Sequence, residues 1–132
     1  MRILITGGAG YIGSILTETL LNAGHHVTVI DVLNSNEHNL FHLCANEAFD
    51  FIRGDARDER LLKDQAKNAD VLIPLAAVVG APACDLDPIL ARTLNLDAVR
   101  MLNRLRSPQQ LVVFPTTNSG YGSKSGDVFC TV

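Results

Sequence analysis

The segment Thr6-Gly7-Gly8-Ala9-Gly10-Tyr11-Ile12-Gly13 constrains this chain more than any other. It follows the short apolar run Ile3-Leu4-Ile5 and opens a stretch with helical periodicity, and in that context Gly8, Gly10 and Gly13 satisfy G-x-G-x-x-G. The first glycine of the motif is expected to make the tight turn, the second to leave room for a pyrophosphate, and Gly13 to let the helix sit close on the strand. A diphosphate bound there would face unpaired N–H groups at the positive end of the helix dipole. Asp31 closes the next apolar run, about 18 residues beyond Gly13, near the offset at which a carboxylate takes the adenosine ribose hydroxyls. Such a carboxylate repels a 2′-phosphate, and no arginine directly follows among Val32, Leu33, Asn34 and Ser35. NAD is therefore expected over NADP.

The rest of the chain alternates short apolar runs with longer helical patterns, as βαβ units do. Ile3 to Ile5, Val27 to Ile30, Phe49 to Arg53, Val71 to Ile73 and Leu111 to Phe114 read as five buried parallel strands. Ile12, Ile15, Leu16, Thr19, Leu20 and Ala23 are expected to form the buried face of a first helix, ended by Asn22-Ala23-Gly24. A second helix is expected within Asn36 to Ala48 and a third from about Asp58. A long fourth helix is expected from Asp87-Pro88 to Arg106, with Asp87 as its cap and Leu90, Leu94, Met101, Leu102 and Leu105 as its apolar face. The expected fold is an open, doubly wound α/β sheet of the Rossmann type carrying five strands in the order 3-2-1-4-5.

At 132 residues, with 47% hydrophobic and 19% charged residues, the chain suits one domain with a packed core. The net charge of −3 and the scattered basic residues give no patch for a nucleic-acid backbone. Cys44, Cys84 and Cys130 lie far apart with no C-x-x-C pair, which suits a reduced, cytoplasmic setting. Neither a secretion signal nor a membrane span is expected, since the longest apolar stretch is broken by Pro74, Gly80 and Pro82. His38 and His42, with Cys44 nearby, lack the glutamate and fourth ligand of a zinc site, so no metal is expected.

Four further segments stand in a telling order: Gly54-Asp55-Ala56-Arg57-Asp58, Leu75-Ala76-Ala77, Asn95, and Thr116-Thr117-Asn118-Ser119-Gly120-Tyr121-Gly122. With the glycine-rich turn and Asp31 they resemble the extended short-chain dehydrogenase/reductases, and among those the NAD-dependent epimerase/dehydratase group acting on nucleotide sugars. The resemblance implies that Gly7, Gly10, Tyr11 and Ile12 hold the pyrophosphate and Asp31 the adenosine ribose. It implies that Asp55 and Ala56 meet the adenine edge, and that Leu75, Ala76 and Ala77 line the path to the nicotinamide. Asn95 matches the family asparagine on the helix behind the cofactor. Gly13 and Asn34 complete the candidate cofactor-binding set. Thr117 matches the Ser or Thr that hydrogen-bonds the reacting sugar oxygen, and is the candidate catalytic residue. The family's Tyr-x-x-x-Lys is not among these residues. The resemblance thus implies the N-terminal, cofactor-binding part of a homodimeric nucleotide-sugar epimerase or dehydratase, inactive alone and without the substrate-binding region. A non-catalytic NAD-binding module or sensor is the alternative.

Overall fold

The computed structural model of the chain describes residues 1–34 and 38–116. Five parallel strands form one sheet in the order β3-β2-β1-β4-β5: β1 (Arg2–Thr6), β2 (His26–Asp31), β3 (Phe49–Arg53), β4 (Val71–Pro74) and β5 (Leu111–Val112). This is the expected Rossmann-type sheet. Ile5 lies between Val29 of β2 and Ile73 of β4, and Leu4 between Thr28 and Leu72. Alternate residues face opposite sides, and both sides are covered. On one side Ile3, Ile5, Val27, Val29, Val71 and Ile73 pack with Leu21, Leu40 and Leu43. On the other, Leu4, Ile30 and Leu72 pack with Leu62 and Ala66 and with Met101 and Leu102.

The first helix, α1 (Tyr11–Asn22), forms as expected but presents a different face. Gly13, Thr17 and Leu21 are buried, with Leu16 and Leu20 packed beside them, whereas Ile12 and Ile15 are 62% and 59% exposed. The cause is local: a Cβ at Gly13 would lie 2.5 Å from the Gly7 carbonyl oxygen, so this is the side of the helix that touches the turn. That contact fixes the rotation of α1 and leaves the more apolar Ile12 and Ile15 outside.

The expected helix between β2 and β3 is, among the described residues, a single 3-10 turn at Phe41–Leu43. Leu40 and Leu43, three apart, are the buried pair, which suits the tighter helix. The Asn46 side chain then accepts the Ala48 N–H at 2.9 Å and turns the chain toward β3. The third helix, α2 (Glu59–Ala66), begins as expected behind Asp58, whose carboxylate accepts the Leu61 N–H at 3.1 Å. A short helix that the proline- and glycine-broken sequence concealed, α3 (Ala81–Leu86), follows Gly80.

The long helix is present but not regular. It runs as α4 (Pro88–Arg92), a π turn (Thr93–Asp97) and α5 (Ala98–Leu105). Asp87 caps it as expected, accepting the Leu90 N–H at 2.9 Å. The last strand is shorter than expected. Leu111 and Val113 donate their N–H groups to the carbonyls of Asp70 and Leu72, so the even-numbered residues here face β5. Pro74, next in that series, has no N–H to offer, and the ladder stops before Phe114.

Leu62 is the buried residue that ties α2 to the sheet and to α5. Leu62→Ala is expected to lower the unfolding free energy by about 2–5 kcal/mol, read from urea denaturation. Leu111→Ala, at an exposed position of β5, should stay within about 0.5 kcal/mol of the unmutated chain.

Candidate functional site

The sheet order reverses between β1 and β4, and the carboxyl ends of β1, β2 and β4 open there onto a cleft of about 400 Å³. Gly7, directly after β1, has φ +75°, and a Cβ on it would lie 2.5 Å from the Ala76 amide nitrogen. Gly7 therefore makes the turn that the motif reading assigned to Gly8. Gly8 is needed for a different reason: a Cβ there would meet both Val29 methyl groups at 2.6 Å. Among the described residues a Cβ at Gly10 would meet one atom, the Gly7 carbonyl oxygen, in a tight contact of 3.2 Å, so Gly10 is far less enclosed than Gly7.

This turn delivers the N-terminus of α1 to the cleft. The Gly10 N–H is taken by the Gly7 carbonyl at 3.2 Å and the Ser14 N–H by the Gly10 carbonyl at 2.9 Å. The N–H groups of Tyr11, Ile12 and Gly13 have no partner among the described residues, and no side chain caps this end. A twelve-residue helix with three free donors and no acidic residue in its first turn is an anion site in search of an anion.

Asp31 stands beside it. Its Oδ2 accepts the Ala9 N–H at 3.0 Å and its Oδ1 the Leu33 N–H at 2.9 Å. Leu33 itself has φ 60°, in the left-handed region, and its side chain packs against the core. A carboxylate so anchored keeps lone pairs for hydroxyl donors.

The far wall is made by the segment after β3. Arg57 embraces Asp55, with Nη2 to Oδ2 at 2.6 Å and Nε to Oδ1 at 3.0 Å, and its Nη1 reaches the Thr93 hydroxyl at 3.3 Å. The side-chain hydrogen bonds from Arg57 hold the Asp55 carboxyl below the ordinary carboxylate range, against a smaller opposing effect of burial. Asn95 on the π turn pairs with the main chain of Val78, donating from Nδ2 to its carbonyl and accepting its N–H at Oδ1, both at 2.8 Å.

Of the residues expected at the site, Gly7, Gly10, Asp31, Asn34, Asp55, Ala56, Leu75, Ala76 and Ala77 line this one cleft. Tyr11, Ile12 and Gly13 do not line it, but their unpartnered N–H groups follow directly on Gly10, which does, and the Tyr11 side chain is 85% exposed. Asn95 does not line the cleft and instead holds the Val78 wall. Thr117 lies outside the described residues. The sequence reading missed Arg57, Val78, Leu90 and Leu94 as lining residues. Arg57 lay in a segment already singled out, and its fork shape beside a carboxylate was the available signal. His42 pairs with Glu18 at 3.5 Å, and among the described residues no three His, Cys, Asp or Glu side chains gather as metal ligands.

The profile of the NAD dependent epimerase/dehydratase family matches residues 3–129. The chain belongs to this family. The family is NAD-dependent, and NAD is accordingly its cofactor. This epimerase/dehydratase chain is 34% identical over 128 residues to a UDP-glucose 4-epimerase of Mycolicibacterium smegmatis and 32% identical over 125 residues to UDP-glucuronic acid decarboxylase 1 of Danio rerio. It is covered over 93% and 92% of its length in those matches but spans only 41% and 28% of the two relatives. Among solved structures it superimposes on a UDP-glucuronic acid 4-epimerase from Bacillus cereus, in complex with UDP-glucuronic acid and NAD, with TM-score 0.85 and 33% identity. That match covers 98% of this chain and 44% of the other.

Two variants separate the glycine roles. Gly7→Ala is expected to destabilise the fold by about 1–3 kcal/mol, read from denaturation, because the side chain meets main chain at a positive φ. Gly10→Val, whose Cβ meets a single tight contact, should destabilise the fold less than Gly7→Ala and lose NAD binding in a calorimetric titration.

Arg57→Ala should raise the Asp55 carboxyl toward its ordinary range, visible in a carboxyl NMR titration. A depressed native carboxyl stabilises the fold above the unfolded-state pKa, and that stability is lost as pH falls through the native value. The variant should therefore lose less stability than the unmutated chain over that acidic interval.

Proposed function

We propose that this chain is the cofactor-binding part of an NAD-dependent enzyme that epimerises or dehydrates a nucleotide sugar by transiently oxidising a sugar carbon. The observation that carries the reading is the convergence, in one cleft, of a free helix terminus, a glycine that leaves it open and an anchored carboxylate. The Tyr11, Ile12 and Gly13 N–H groups would hold the pyrophosphate. Asp31, with Asn34 beside it, would take the adenosine ribose, and Asp55 with Ala56 the adenine edge. Leu75, Ala76 and Ala77 would line the way to the nicotinamide, with Asn95 keeping that wall in place through Val78. NAD bound in this way supplies an acceptor for hydride from a sugar carbon and returns it. Thr117 would orient the reacting sugar oxygen, a hydroxyl being too weak a base to take its proton at neutral pH.

The family name and the relatives' substrates support a nucleotide-sugar substrate, since the matched relatives are a UDP-glucose epimerase and a UDP-glucuronic acid decarboxylase. We extend the reading to a homodimer formed through the helix over residues 88–105, supported by the exposure of Ile89 and Leu96. Free Cys44 and Cys84 are in keeping with a cytoplasmic setting. Among the described residues no helix is long and apolar enough to cross a membrane.

Calorimetric titration with NAD and NADP tests the reading. NAD is expected to bind more tightly, and Asp31→Ala to narrow the preference by removing both ribose acceptors and the repulsion of a 2′-phosphate. Equal affinities for the two dinucleotides in the unmutated chain would count against the assignment of Asp31, and no binding of either would remove the reading.

A further inference from the structure

Asn39 lies in the β2–β3 connection, outside the lining of the cleft, yet its side chain reaches back to the glycine-rich turn. Its Nδ2 donates to the Ala9 carbonyl at 2.9 Å, across 30 residues of chain. We propose that Asn39 is a positioning residue for the pyrophosphate-binding turn, an inference that rests on reading the cleft as an NAD site.

The argument is an accounting of main-chain polar groups between Ala9 and Ser14. The Ala9 N–H goes to Asp31 Oδ2, the Ala9 carbonyl to Asn39, and the Gly10 N–H to the Gly7 carbonyl. Every polar group of the Ala9–Gly10 peptide is thus held inside the protein, and the unpartnered donors begin at Tyr11. In a trans peptide the carbonyl and the following N–H point in opposite directions, so fixing one fixes the other. Residue 10 is the place where this matters. Glycine resists rotation about its φ less than any other residue, and only the Gly7 carbonyl oxygen stands near a Cβ position there. With the Asn39 bond gone, the 3.2 Å bond from the Gly10 N–H to the Gly7 carbonyl is left as the restraint on that peptide plane, and the Ala9 carbonyl is freer to swing toward the open side of the turn. Its partial negative charge would then sit beside the donors of Tyr11 and Ile12, where a diphosphate requires positive potential.

Asp31, at the end of β2, and Asn39, in the connection that follows, therefore have separate tasks on the same residue. Asp31 holds the N–H of Ala9 and faces the ribose. Asn39 holds the carbonyl and governs the phosphate side. The distinction makes the proposal testable with ligands that carry one half or the other: adenosine, which lacks phosphate, against ADP and NAD.

Asn39→Leu keeps the shape and removes the donor. It is expected to weaken NAD and ADP about tenfold while leaving adenosine within about twofold, by NMR and calorimetric titration of the 132-residue chain. Asn39→His, which can place an N–H donor at similar reach, should recover most of the loss. Should the leucine variant fail to fold, Asn39→Asp, of equal size and without the donor, carries the same expectation. Equal weakening of adenosine and NAD would reduce Asn39 to a general structural role and overturn the proposal. So would NAD affinity unchanged in the leucine or aspartate variant, which leaves the NAD reading intact. Failure of the unmutated chain to bind NAD would overturn both.

Discussion

Three stretches of main chain meet without intervening side chains where β1 gives way to α1. Gly7 abuts the Ala76 backbone, and Gly13 abuts the Gly7 carbonyl. This packing sets the rotation of α1, aims its free N–H groups at the cleft, and holds the segment after β4 against the turn. A methyl group at either glycine would push apart elements that the rest of the sheet requires to be close. The burial of Thr17 and Leu21, the exposure of Ile12 and Ile15, and the depth of the cleft all follow from it.

Around this contact, polar side chains act chiefly on main chain. Asp31 binds the amides of Ala9 and Leu33, Asn95 pairs with Val78, and Asn39 holds Ala9. Loops at the carboxyl edge of a parallel sheet have no ladder to order them, so their shape must come from such bonds. The left-handed Leu33 shows the cost being met: a conformation unfavourable by about 1–3 kcal/mol persists where the side chain is packed against the core.

Much of this was legible in the sequence, for identifiable reasons. The strands are short runs of branched residues, and nothing but a sheet covered on both sides accommodates them in that order. Asp58 and Asp87 read correctly as helix starts because a cap acts on its own neighbours. What misled was local pattern overruled by distant contact. The apolar stripe of α1 pointed to Ile12 and Ile15, and the glycine contact turned it away. The segment before β3 had helical composition, but the Asn46 side chain binds the main chain two residues on, in the way that competes with a helix, and Asn39 is drawn to the distant Ala9 carbonyl. The last strand stops early because the ladder meets a proline on both sides, Pro74 on its neighbour and Pro115 on its own chain, and only the second is visible in the sequence around Leu111. At the site, nine residues singled out by the glycine motif, the Asp31 offset and the family resemblance line one cleft, whereas Asn95 acts from behind the wall.

The π turn at Thr93–Asp97 gives the long helix a phase step. An extra residue in one turn offsets everything beyond it by roughly 100°, the angle one residue occupies in an α-helix. Before the step Leu90 faces the cleft, and after it Met101 and Leu102 face the sheet with α2. One rod thereby lines the cleft at one end and packs into the core at the other. The step also opens main-chain space at the position from which the Asn95 amide reaches the Val78 peptide. A relative that lost one residue here would have to choose between the cleft wall and the core, so lengths in this segment should be less free to drift than those of the surface loops.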